Sequence, residues 1–168
     1  MNIKILLLVS IFTVFTAFSC ASREERIELI KQEVEAILKK TDIAEMITGL
    51  FVEGENRSNF RAYFDNEDLI FINEDLSKGF WSGVTYHYYL KDDELIYLSQ
   101  KEVGFEGPDS KNKRTIVIEI YFDGEEVLDA VKKFEGQYTD IPREEIDLIL
   151  NHAKKIKEVA KNLNPKLN

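Results

Sequence analysis

The sequence predicts an α+β domain: a six-stranded antiparallel meander of three hairpins, packed on one face by N- and C-terminal helices. Three observations carry that reading. A pattern of one aromatic, one apolar, four largely polar and two apolar residues occurs at residues 63–70, 89–96 and 121–128. Each copy sets a run of Asp, Asn, Glu, Lys or Gly between β-forming runs, which is the chemistry of a hairpin turn. The segments before and after the repeats instead carry apolar residues at helical spacing.

Taken in order, the chain opens with Lys4 and then an uncharged run, residues 5–19, ending at Cys20. A basic start, a short apolar stretch and small residues at a cleavage point describe an export signal. The run is shorter than the ~20 residues a spanning helix needs, which argues against a transmembrane anchor. Cys20 is the only cysteine. The stretch Ala17-Phe18-Ser19-Cys20 resembles the processing site of bacterial lipoproteins: the small Ala17 and Ser19 fit, although Leu is commoner where Ala17 sits, and Phe18 is bulkier than usual. That resemblance implies a signal peptide over residues 1–19, a palmitate-type acyl group on Cys20, and export to a bacterial cell-envelope membrane. It is silent about residues 20–168, which contain no Pro/Gly/Ser linker and read as one domain.

Of the 168 residues, 22 are basic and 31 acidic, and residues 1–19 remove only Lys4, leaving a net charge of −10. Such a chain is repelled by phosphate backbones, which argues against nucleic-acid binding. With no second cysteine there is no intrachain disulfide. A domain of this size buries about two thirds of its unfolded surface and needs none.

Ser22 and Glu25 match a capping box, and Ile27, Ile30, Val34, Ile37 and Leu38 form the stripe of a helix running to Lys40. Ile43, Met46, Ile47, Leu50 and Phe51 repeat that spacing and predict a second short helix, ended by Gly49 and Gly54. Strands are predicted at 59–64 and 69–72, at 84–90 and 95–100, and at 114–122 and 127–131, the last also reading as helix. The connections are 73–83, with Trp81, and 101–113, with Gly104, Gly107 and Pro108. A final helix follows Asp140 and Pro142, with Ile146, Ile149, Leu150, Ala153, Ile156, Ala160 and Leu163 as its stripe. The exposed sheet edges would be 59–64 and 127–131, where a second copy could pair.

Strand residues alternate between faces. If the four polar residues make each turn, Phe64 faces Leu69, Leu90 faces Leu95 and Phe122 faces Val127. One face then carries Phe60, Ala62, Phe64, Val84, Tyr86, Tyr88, Leu90, Ile116, Ile118, Ile120 and Phe122, and both long helices are expected there. The other face is mixed, with Arg61, Tyr63, Ile70, Ile72, His87, Tyr89, Ile96, Leu98, Glu119, Tyr121 and Leu128. Tyr63, Tyr89 and Tyr121 fall in one row and Arg61, His87 and Glu119 in the next. Neighbours within either trio are about 9–10 Å apart, two strands away, so neither is a hydrogen-bonded catalytic trio.

These six residues are the candidate ligand-binding site, for a protein or a small molecule, because aromatic groups interleaved with charges match recognition surfaces. The competing reading is a second core, covered by residues 101–113 or by the C-terminal tail. The three turns also gather Asp65, Glu67, Asp68, Asp92, Asp93, Glu94, Asp123, Glu125 and Glu126 on one rim. None matches a calcium-loop spacing. His87 has no identifiable nucleophile or acid partner, and His152 belongs at the edge of the last helix's stripe. Two histidines 65 residues apart make no zinc signature, and no glycine-rich phosphate loop or nucleophile elbow is present. No cofactor is expected.

The hairpin pattern resembles those of many uncharacterised exported bacterial proteins, and that similarity implies no function. The reading that follows is an envelope lipoprotein with a non-enzymatic binding or structural module. Its rivals are an inhibitor or immunity protein for a basic partner, and a small hydrolase with His87 as base assisted by Glu119 or Tyr121.

Overall fold

The protein is described by a computed structural model covering residues 21–54, 56–78, 82–105 and 113–167. Residues 1–19, read above as an export signal, and Cys20, Trp81, Gly107 and Pro108 lie outside the described residues. The elements run helix α1 (Arg23–Lys40), strands β1 (Glu45–Glu53), β2 (Asn56–Asp65), β3 (Asp68–Lys78), β4 (Ser82–Lys91), β5 (Glu94–Phe105), β6 (Lys113–Asp123), β7 (Glu126–Phe134) and β8 (Gln137–Thr139), then helix α2 (Arg143–Leu163). The strands form one antiparallel sheet in strict chain order, β1 to β8. The serial meander is as predicted, but it has eight strands where the sequence suggested six.

The extra strand at the start replaces the predicted short helix. β1 pairs with β2 along its whole length, from Glu45 opposite Phe64 to Glu53 opposite Asn56. Its apolar residues mimic helical spacing because they lie on both faces: Ile47 and Phe51 point into the core, while Met46, Leu50 and Val52 are exposed. β-branched Ile47, Thr48 and Val52 suit a strand. Gly49 is required by close approach, since a Cβ there would lie 2.3 Å from the Phe60 ring and 2.7 Å from Leu163 of α2. The predicted connection 101–113 shrinks in the same way, because β5 continues to Phe105 and β6 begins at Lys113.

The three repeats are hairpins whose turns share one end of the sheet, and Phe64–Leu69, Leu90–Leu95 and Phe122–Val127 pair as predicted. Asn66, Asp92, Asp93 and Gly124 take the positive φ such turns need. Each hairpin also contains a β-bulge at the same place. Tyr63 pairs with Phe71, Tyr89 with Tyr97 and Tyr121 with Asp129, so Ile70, Ile96 and Leu128 are the inserted residues. An inserted residue reverses the facing of everything after it. Ile72 and Leu98, expected on the mixed face, therefore join the apolar one.

The two helices do not share a face. α2 lies on the apolar face, where Ile146, Ile149, Ala153, Ile156 and Ala160 are buried against the predicted face residues. Ile156 is completely buried, which stabilises the docked helix by about 1.5–3 kcal/mol at that residue alone. α1 lies on the mixed face, with Val34 and Ile37 packed on Ile70, Phe71, Tyr89, Tyr63, Ile96 and Tyr97. Among the described residues that cover comes from α1, where the sequence suggested 101–113 or the C-terminal tail. The Ser22–Glu25 capping box starts α1 as predicted.

The repeat also positions α1 electrostatically. Arg26 pairs with Asp123 at 2.5 Å, Glu33 with Lys91 at 2.7 Å and Lys40 with Asp65 at 2.8 Å. Asp65, Lys91 and Asp123 are the third residue of the three repeats. The helical partners are seven residues apart, about 10.5 Å along an α-helix, and alternate hairpins lie about 9.6 Å apart across a sheet. The two spacings nearly match, and the inverted sign at Glu33–Lys91 disfavours a helix shifted by one hairpin.

Candidate functional site

The six residues singled out from sequence are divided by α1. Tyr63, Tyr89 and Tyr121 sit at the covered end of their face, joined by two rings the sequence reading did not place there. Phe71 and Tyr97 fill the intervening strands, giving an unbroken row Tyr63–Phe71–Tyr89–Tyr97–Tyr121 with ring centroids 5.5, 4.8, 5.4 and 4.8 Å apart. Phe71 and Tyr89 are buried, and burial pushes the Tyr89 hydroxyl above its usual pKa.

Arg61, His87 and Glu119 fall in the next row, beyond α1, again with interposed residues: Arg61–Asn73–His87–Ser99–Glu119 across five strands. Arg61 donates to Asn73 at 2.9 Å, Tyr97 donates its hydroxyl to Glu119 at 2.9 Å, and His87 Nδ1 lies 3.4 Å from Ser99 Oγ. Burial lowers the His87 pKa, as does nearby Arg61, against the pull of Asp75. Ser99 thus stands between His87 and Glu119, so no carboxylate orients the imidazole as a serine nucleophile would require. Backbone amides inside a sheet are spent on the ladder, so among the described residues this row offers side-chain rather than backbone donors. On this open half Arg61 lies 3.8 Å from Asp75 and Lys133 lies 3.8 Å from Glu119.

The chemistry missed from sequence lies on the opposite face, where α2 crosses the sheet. Glu74, on β3, is completely buried. It accepts hydrogen bonds from Ser58 Oγ and, at 2.7 Å, from the Tyr88 hydroxyl. His152 of α2 places Nε2 2.9 Å from Glu74 Oε2 and Nδ1 3.1 Å from Glu53 Oε2. A carboxylate beside each nitrogen favours the doubly protonated, cationic ring. Burial alone lowers the His152 pKa, but hydrogen bonds and charge from Glu74 and Glu53 more than offset it, and the net shift is upward. Glu53 is held below the usual carboxylate range by Lys155 first and His152 second. Phe51 and Tyr86 flank the imidazole, with ring centroids 5.1 and 5.2 Å away. This group docks α2 on the sheet and walls a cleft of about 360 Å³. Glu74 escaped the sequence reading because the strand was ended at Ile72. The alternation Ile72–Glu74–Leu76 was the available signal.

On the other side of α2, toward the hairpin turns, a larger cleft of about 590 Å³ opens between helix and sheet. Leu90, Leu95 and Phe122 line its floor, Arg143, Asp147, Leu150, Lys154 and Lys157 its helical side, with Asp147 paired to Arg143, and Asp93, Glu94 and Glu125 its turn side. Burial opposes the charge of Asp93, but Lys161 and Lys157 keep its carboxyl below the usual range. The acidic turns therefore face helix cations: Asp93 meets α2, while Asp65 and Asp123 meet α1. Among the described residues no cluster of three or more His, Cys, Asp or Glu has metal-site geometry.

No protein family, curated protein or solved structure matches the chain.

Proposed function

We propose that the chain is an exported protein anchored through an acyl group on Cys20 to a bacterial cell-envelope membrane. Its domain is a non-enzymatic binding module that takes an amphipathic small molecule in the larger cleft beside α2. The observation carrying this reading is the cleft itself. Its volume of about 590 Å³ falls within the roughly 300–1,000 Å³ of small-molecule sites. An apolar floor between a helical side with more cations than acids and a turn side of carboxylates suits an apolar body bearing a polar end. The anchor is supported by sequence, and by α1 beginning at Arg23, three residues after Cys20. Among the described residues no helix is long and apolar enough to cross a membrane.

The binding reading is tested with anilinonaphthalene sulfonate, an apolar fluorophore bearing an anionic end. Saturable fluorescence enhancement by the native chain, lost in Leu150→Trp, is the expected result; equal enhancement by both proteins refutes the cleft as the site. For the anchor, Cys20→Ser should abolish incorporation of an alkyne-tagged palmitate and release the protein from the membrane fraction. Retention of the label sinks that part.

A further inference from the structure

The sheet ends differently at its two edges. β8 is three residues long, and shortness is itself protection against edge pairing. β1 is nine residues long, pairs only with β2 among the described strands, and has no proline, no lysine and no bulge in its register. Natural edge strands are ordinarily blunted by such devices. Six of the twelve large apolar side chains exposed among the described residues gather along this edge, so the exposure is concentrated rather than scattered. Met46, Leu50 and Val52 lie on the α1 side of β1 and Ile43 just precedes the strand, while Leu163 ends α2 and Leu167 follows it. Leu163 overhangs Gly49, and neighbouring Lys166 pairs with Glu45.

We propose that β1 pairs antiparallel with β1 of a second copy about a two-fold axis at Gly49, joining the sheets of both copies into one. A second copy is the occupant because the strand is self-complementary in that register. Met46 meets Val52 of the second copy, and Ile47 meets its Phe51. Thr48 meets its Leu50. Gly49 meets Gly49, so the backbones at the axis approach without side chains between them. The register also sets Glu45 opposite Glu53 of the second copy, and like charges directly opposite would normally oppose pairing. Here Glu45 already carries Lys166 and Glu53 already carries Lys155. The seam then presents two compensated pairs rather than two bare carboxylates. Main-chain hydrogen bonds supply the attraction, as in strand addition generally.

The test uses the chain from residue 21, which lacks Cys20 and holds both cores and all eight strands, carrying Thr48→Cys and Leu50→Cys together. Opposed Cα atoms in an antiparallel pair are about 4.5–5.5 Å apart, within disulfide reach, so mild oxidation should give a covalent dimer on a non-reducing gel. A control with Glu35→Cys on exposed α1 should not. Sedimentation of the same chain without these substitutions gives a second measurement. Twice the monomer mass is expected at tens of micromolar, and Leu50→Lys should halve it without shifting the thermal midpoint, Leu50 being exposed. A monomer at every concentration with no T48C/L50C cross-link overturns the proposal. Protection of β1 amides only on adding an unrelated extended peptide overturns the choice of occupant.

Discussion

Replacing His152 by alanine should be strongly destabilising, and its cost follows from what the imidazole leaves behind. Glu74 is completely buried, and among the described residues His152 is the one basic side chain hydrogen-bonded to it. Removing one partner of a buried pair costs about 3–5 kcal/mol, most of it the stranded charge. At a urea slope of about 2 kcal/mol/M, the unfolding midpoint should fall by about 2 M. Adding Glu74→Gln to His152→Ala removes the stranded charge, so the double variant should be more stable than His152→Ala alone. The pH dependence has a definite sign. The His152 pKa is raised on folding, so its contribution is complete below the unfolded value of about 6.5 and disappears as pH rises through the folded value. Urea titrations of the native chain between about pH 6 and 9 should therefore show stability falling with pH, a trend absent in His152→Ala. A loss below 1 kcal/mol, or no rescue by Glu74→Gln, would refute the buried-pair argument.

Two further changes probe the opposite face. Phe71→Ala removes the second ring of the five-ring row, where exposure is only 7%, and should cost about 3–5 kcal/mol in chemical denaturation; a near-neutral effect would mean that α1 does not cover that row. Lys91→Glu sets like charge against Glu33 and should speed proteolysis within α1, with Glu33→Lys restoring resistance. Failure of that exchange would show that the seven-residue match does not position the helix.

What could be read from sequence was what local chemistry decides. The hairpins and their pairing follow from polar runs of fixed length, and the apolar face from residues on strands that precede each bulge. The bulges themselves leave no local mark, because Ile70, Ile96 and Leu128 look like the next residues of an alternating strand. Past that point every facing was inverted, which is why Ile72 and Leu98 were misplaced. β1 was read as helix because an edge strand apolar on both faces has lost the period-two signal. Glu74 was hidden by the polar run Asn73-Glu74-Asp75, which resembles a strand end until Leu76 is included. The stripe of α1 announces that it packs but not on which face. That choice is made by the aromatic row, by the bulged residues beside it, and by the three rim ion pairs, all contributed by distant parts of the chain. Of the site, the tyrosines and the Arg61 row were visible, while the clefts needed α2 placed on the sheet before they existed.

The placement of one helix on each side of the sheet underlies both the clefts and the covered tyrosines. Spin labels at Glu35→Cys on α1 and Glu158→Cys on α2, both exposed positions, measure it directly by pulsed dipolar spectroscopy in the chain from residue 21. Helices separated by the sheet are two layers apart, which predicts a narrow distribution centred beyond about 20 Å. A peak near the roughly 8–10 Å spacing of helices packed side by side would contradict the account.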